Sequence, residues 1–332
     1  MPRSILAMTI GLALCAPAFG QDSATMKAIR LHTYGPPSVL VYEDAPKPLP
    51  ADDELLIRVK GAGVNPVDAS IREGKFGRGG KLPMTAGYDV AGIVEEVGEK
   101  VTMFKKGDEI YAYLALARGG GYAQFCIVKE SEAAVRPGRI TFEEAAGIPL
   151  TALTAWQALV DTAHIKAGQT VLIHGGSGGV GTMAIQIAKS RGCRVVATAS
   201  GKNQDVLREM KADVCVDYET QKFEDHAKEV DAVLDMVGGA TRERSWGCLK
   251  KGGILVSIVG PPDQKVAAEH GVRAVGILVK PDGAELGEIA QLIDKGRIKP
   301  APTRVMPLTD AAKAQEQAAT RHTRGKIVLK PE

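Results

Sequence analysis

The sequence predicts an α/β protein of two domains: a barrel-like β domain, then a doubly wound parallel sheet with helices on both faces. Three observations carry this. Short alternating segments punctuated by Gly and Pro run from Met26 to about Pro149, apolar runs and amphipathic helices alternate after Thr141, and a glycine-rich turn, "HGGSGGVG", opens at His174. At 332 residues the chain is too long for one ordinary core. Its 45% hydrophobic and 24% charged residues are those of a soluble globular protein. The net charge of +3, with no run of Lys and Arg interleaved with aromatics, does not favour nucleic acid as a partner.

The first residues differ from the rest. Arg3 supplies a positive start, Ile5 to Leu14 an apolar stretch, and Ala18-Phe19-Gly20 a small-x-small pattern before Gln21, so residues 1–20 read as a secretory signal peptide, with a periplasmic or secreted product. The stretch is too short for a good membrane span. The alternative is a cytoplasmic protein translated from Met26, whose "MKAIRL" opens a strand-like segment. Cys15, Cys126, Cys193, Cys215 and Cys248 form no CxxC or Cys/His cluster, so no zinc ribbon or redox pair is expected, and buried free thiols are the simplest reading.

In the first domain, residues 26–149, segments such as "ELLIRVKGAGVN", "DVAGIVEEVG" and "GDEIYAYL" read as mostly antiparallel strands. At Thr141, followed by Glu144 in capping-box spacing, a helix starts. The second domain, residues 150–285, alternates strands such as "TVLIHG", "RVVATAS" and "DAVLDMVG" with helices such as "VGTMAIQIAKSRG". Residues 286–332 add an amphipathic helix, "ELGEIAQLIDKGRI", and a closing strand, "GKIVLKP".

Gly176, Gly178 and Gly181, with Ser177, Gly179 and Val180 between them, stand in GxGxxG spacing after a predicted strand and at the start of a predicted helix. The chemistry needs this arrangement. One glycine makes the tight turn, one lets backbone approach a pyrophosphate, one permits close helix–strand packing, and the helix N-terminus offers N–H groups to the anion. No Gly-Lys-Ser/Thr follows, which excludes a P-loop. The second strand ends in Ser200-Gly201-Lys202-Asn203, with no carboxylate until Asp205. A hydroxyl, a cation and an amide suit a 2′-phosphate, so NADPH is the expected cofactor.

The glycine turn, "GVNPVD" (Gly63 to Asp68), "AGYDVAGIVEEVG" (Ala86 to Gly98), "GIPLTALTAWQAL" (Gly147 to Leu159) and "GKIVLKP" together resemble the medium-chain dehydrogenase/reductase superfamily, above all its zinc-independent quinone oxidoreductases and plant-type enone oxidoreductases. The resemblance implies a GroES-like β-barrel catalytic domain, a Rossmann domain, return of the C-terminal segment to the catalytic domain, and a homodimer. The zinc-dependent branch has a metal-ligand Cys at the position of Asn65 and a His-Glu pair after the glycine matching Gly87, where this chain has Tyr88-Asp89. An amide and a phenol do not replace a thiolate and an imidazole on zinc, so no metal is expected.

The expected reaction is hydride transfer from NADPH to a quinone or α,β-unsaturated carbonyl, with alignment and oxyanion stabilisation as the protein's task. Asn65 is the candidate polar contact, and Asp68 is expected to order its loop. The resemblance also implies cofactor contacts at Thr151 and Tyr218; Val237-Gly238 and Val259-Gly260 end later strands where the cofactor would run, and Arg321, His322 and Lys326 are placed to close over the nicotinamide side, with His322 equally readable as an exposed loop histidine. Departures accompany it. Quinone oxidoreductases of the best-known type have tyrosines matching Ser70 and Phe76, and plant enone reductases often a lysine matching Ser70. A small Ser70 implies more room near the reacting atoms; Arg72 and Lys75 are either polar-substrate contacts or part of a solvated loop. The rival reading is a non-catalytic NADPH-binding protein of structural or regulatory kind.

Overall fold

The structure is a computed structural model describing residues 24–75, 81–320 and 325–332. The expected signal peptide, Phe76, Arg321 and His322 lie outside the described residues.

In the second half, six parallel strands form one sheet. Numbered in chain order they are Thr170–Ile173, Arg194–Ala199, Val214–Asp217, Val230–Asp235, Leu249–Ser257 and Arg273–Gly276, and their spatial order is 3-2-1-4-5-6. Helices cover both faces, so the central strands are apolar without alternation: Val171, Leu172, Ile173, Val233, Leu234 and Leu255 are all fully buried. Each such side chain stabilises the fold by about 1.5–3 kcal/mol relative to exposure.

In the first half, Glu54–Val64 is the central strand of a seven-stranded sheet, paired with Asp89–Val97, Phe125–Lys129 and, from the far end of the chain, Lys326–Lys330. Thr303–Pro307 runs parallel to Lys326–Lys330 at the edge, so the C-terminal segment completes the β domain. A separate three-stranded sheet joins Leu40–Pro46, Thr25–Leu31 and Met84–Thr85. One apolar core fills the barrel around Ile57, Val90 and Ile110, while a larger one continues from the helices on the parallel sheet to Tyr88 and Tyr113 of the barrel. The Tyr111 hydroxyl donates to the Leu286 carbonyl at 2.6 Å, tying the two halves together across 175 residues.

The capping box forms as the sequence indicates: Glu144 N–H donates to Thr141 Oγ1 and Thr141 N–H to the Glu144 carboxylate. Its helix is short, Phe142–Ala146, and a new one, Pro149–Trp156, starts with proline in its first turn, where the missing N–H costs nothing. Cys126, Cys193, Cys215 and Cys248 are free thiols; burial pushes Cys126 up to about 12, which leaves it unreactive.

Candidate active site

Strand order reverses beside Thr170–Ile173, which lies between Arg194–Ala199 and Val230–Asp235, and ligands of open parallel sheets bind at such a point. The glycine turn leaves this strand and opens the helix Gly179–Ser190. A cavity of about 790 Å³ runs from it to the barrel, between the two halves.

The glycines of the turn have separable reasons. A Cβ on Gly181 would lie 2.4 Å from the Gly175 carbonyl oxygen, and one on Gly176 would lie 2.7 Å from Leu207, so both are demanded by close packing of strand and helix. A Cβ on Gly179 would meet Thr151 and Lys326 at 3.0 and 3.1 Å, which makes it the point where the barrel side touches the turn. Gly178 has nothing nearer than 3.5 Å. Packing does not require that glycine, and its open side belongs to the cavity wall together with Ser177 and Val180. A cradle a Cβ would fill, at the head of a twelve-residue helix, fits the pyrophosphate of a dinucleotide.

At the far end of the turn side, Ser200, Asn203 and Tyr218 line the cavity, and Asn203 Nδ2 donates to Ser200 Oγ at 3.1 Å. Lys202, exposed on the same short turn, is not among the residues that line the cavity. The structure also supplies the carboxylate absent from that stretch. Glu219 accepts the Gly201 N–H at 3.2 Å, brought there because the next strand of the parallel sheet ends alongside. Gln221 and Arg244 line the same end and were not expected from sequence.

The two later loops are held by one buried acid. Asp235 Oδ1 accepts the N–H groups of Val237 at 3.0 Å and Gly238 at 2.7 Å, while Arg242 bonds Asp235, Ser257 and the Gly260 carbonyl. Burial alone would raise the Asp235 pKa; the Gly238 amide and Arg242 outweigh it and hold the group ionised. Val237 and Val259 line the cavity, whereas Gly238 and Gly260 shape the loops from outside it.

At the barrel end, three distant segments meet. Asn65 caps the helix Pro66–Arg72 and is buried, with Asp68 Oδ2 accepting its backbone N–H at 2.8 Å. Its side-chain Nδ2 donates to Asp89 Oδ2 at 2.8 Å, and Lys326 Nζ donates to its Oδ1 and, at 2.9 Å, to the Val64 carbonyl. Asp89 also accepts the Leu150 N–H at 2.8 Å and lies 3.9 Å from Lys326. The amide of Asn65 is therefore fixed in one orientation, oxygen toward the ammonium and nitrogen toward the carboxylate. Burial raises Asp89 to about 6, with Lys326 opposing, and Asp68 to about 7, with a hydrogen bond from Tyr122 opposing; burial lowers Lys326. Asn65, Thr151 and Lys326 line the cavity; Asp68 lies behind them.

Two expectations about the neighbouring loop are corrected. Ser70 does not line the cavity, because helix periodicity turns its hydroxyl back to the Pro66 carbonyl at 3.4 Å. Arg72 is neither solvated nor a substrate contact: it is buried and bonds the Gly35 carbonyl, Gln315 and Glu73. Lys75 is exposed and pairs with Glu73. Sequence reasoning missed Tyr113. The alternation in "EIYAYL" puts Tyr111 and Tyr113 on one face, and that signal was available.

Comparison with known proteins agrees with this geometry. Residues 51–138 match the model described as alcohol dehydrogenase GroES-like domain, and residues 210–329 that described as zinc-binding dehydrogenase. The chain is similar to the quinone oxidoreductase of Sus scrofa, 34% identical over 92% of this chain and 97% of the relative. It is similar to the chloroplastic NADPH-dependent alkenal/one oxidoreductase of Arabidopsis thaliana, 36% identical over 92% of this chain and 80% of the relative. Among solved structures, mycobacterial Rv1454c complexed with NADPH superposes with a TM-score of 0.83 at 32% identity, covering 92% of this chain and 100% of the other.

Proposed function

The chain belongs to the medium-chain dehydrogenase/reductase superfamily, as an oxidoreductase with a GroES-like domain and a Rossmann sheet, and from that premise we propose an NADPH-dependent reductase of quinones or α,β-unsaturated carbonyls that works without zinc. The observation that carries the reading is the cavity between the two halves, with the open face of Gly178 at one end and the Asn65–Asp89–Lys326 cluster at the other.

A bound reduced nicotinamide supplies hydride. The residues that would hold it are the turn Ser177–Gly181, Ser200, Asn203 and Tyr218, with Val237, Val259, Thr151 and Lys326 further along the cavity. The two NADPH-linked relatives support the phosphorylated cofactor, while Glu219 on the Gly201 amide works against a 2′-phosphate there; Ser200, Asn203 and the exposed Lys202 are the groups available to receive it.

The description of one matching domain as zinc-binding does not fit this chain's donors. Asn65 is committed to Asp89 and Lys326, Tyr88 is a buried phenol whose pKa burial raises, and the Lys326 ammonium would repel a dication at Asn65. The protein's own work is then to align the acceptor, exclude water and stabilise charge on its oxygen.

The test is NADPH oxidation with 1,4-benzoquinone and an enone panel, alongside metal analysis. Turnover without stoichiometric zinc supports the proposal; NADPH binding with no turnover of any acceptor rejects it in favour of a cofactor-binding protein. Export through the leader is a separate part of the proposal, supported if the native protein starts at Gln21 and rejected if it starts at Met26.

A further inference from the structure

Among the described residues, five polar side chains line the barrel end of the cavity, and four already bond protein groups. Thr151 and Thr154 return their hydroxyls to carbonyls of their own helix, Asn65 bonds Asp89, and Lys326 bonds Val64 and Asn65. The fifth is Tyr113. It is 1% exposed, lines the cavity, and its hydroxyl has no hydrogen-bond partner among the described residues. Tyr111, on the same face of the same strand, shows the ordinary outcome, a buried phenol bonded to a carbonyl. Tyr88 is different again: its hydroxyl is buried without a partner, and the residue does not line this cavity.

A buried polar group without a partner costs stability, and an O–H open to a cavity can be satisfied by what enters it. Tyr113 pairs in register with Asp89, the acceptor of the Asn65 amide, so the phenol stands next to the polar cluster rather than at the remote, adenosine end. Val67, Leu116 and Leu150, which also line the cavity, have apolar side chains that offer an incoming oxygen no donor. Burial, with Asp89 and Asp68 adding, raises the phenol's pKa, so the group remains a neutral donor throughout the neutral range.

We infer that the Tyr113 hydroxyl is a catalytic hydrogen-bond donor to the carbonyl or quinone oxygen of the substrate. The inference rests on the proposed reductase function and deepens it. As an enone is reduced, a C–H bond forms at its β-carbon, the electron pair of the C=C–C=O system moves onto oxygen, and solvent delivers a proton to the α-carbon; a quinone takes the proton on oxygen. The two electrons come from the nicotinamide, which is oxidised. The oxygen is more negative in the transition state than in the bound substrate, so a fixed O–H donor there raises kcat and not only affinity.

Tyr113→Phe keeps the ring and removes the donor. The expected result is a fall in kcat of about 10²-fold with enones and quinones, with the Kd of NADPH unchanged. Independently of turnover, 4-nitrophenolate, a stable anionic mimic of the reduced substrate's oxygen, should bind the variant about tenfold more weakly. On the unaltered protein, a series of substituted phenolates should bind more tightly with rising basicity, which reads the same hydrogen bond should the variant fail to fold. Unchanged kcat and unchanged phenolate affinity, or a flat phenolate series, overturns the role of Tyr113. Absence of turnover in the unaltered protein would instead overturn the reductase reading, and phenolate binding would still decide whether Tyr113 donates.

Discussion

The glycine turn at one end of the cavity is made of consecutive residues, His174 to Gly181, whereas the barrel end joins Asn65 to Lys326 across 261 residues of chain. The first end works through backbone: what matters at Gly176 and Gly181 is the absence of a side chain. The second works through side chains that hold one another, an amide between a carboxylate and an ammonium. A local device tolerates changes elsewhere in the chain, while a cluster made from three segments depends on the whole fold to stay in place.

Lys326→Met should have the largest effect. It leaves Asp89 buried without its cation and Asn65 Oδ1 without its donor, and removing one partner of a buried pair costs about 3–5 kcal/mol. Urea unfolding at neutral pH measures this, and a loss below that of an exposed ion pair would break the contrast between the two ends.

At the turn end, two glycines should separate stability from binding. Gly181→Ala forces a methyl against the Gly175 carbonyl and should cost about 1–3 kcal/mol. Gly178→Ala finds open space, so its melting temperature should hold while NADPH affinity, followed by fluorescence titration, drops. Equal loss of stability in both would mean that Gly178 serves packing after all.

The barrel cluster should also show itself through pH. Asp68 is raised from 3.8 to about 7 by burial, so the folded state keeps a proton that the unfolded state has released. Its contribution is fully present below about pH 4 and is lost as pH rises through about 7. In Asp68→Asn the fall in urea midpoint between acid and neutral pH should be smaller. An identical pH profile in the variant would remove Asp68 from the account.

The smallest effect is expected at the exposed rim of the turn end. Glu219→Gln keeps an acceptor for the Gly201 amide and removes a charge, and should raise the ratio of NADPH to NADH affinity by about threefold. No change would place the 2′-phosphate away from Gly201.

Much of this was legible beforehand, and unevenly. The parallel sheet, the capping box at Thr141 and the glycine turn were readable because apolar periodicity and turn chemistry act between residues close in sequence. The helix break at Gly147-Ile148 was less so, since the segment carries helix formers on both sides and only Pro149 marks the restart. Ser70 misled because a residue next to a motif in sequence can face away from it in space. Tyr113 went unnoticed because one more aromatic residue in a strand reads as core.

By itself the sequence determined where backbone is left bare and which segments become strands and helices, because both depend on steric and hydrophobic terms that repeat over a few residues. Only the tertiary structure decided that Glu219 comes to Gly201, that Lys326 fixes the Asn65 amide, and that Tyr113, among the described polar groups at the barrel end of the cavity, is the one without a partner. Those are facts about which charges and hydrogen-bonding groups share one buried volume, and the chain settles them only when its distant strands pair.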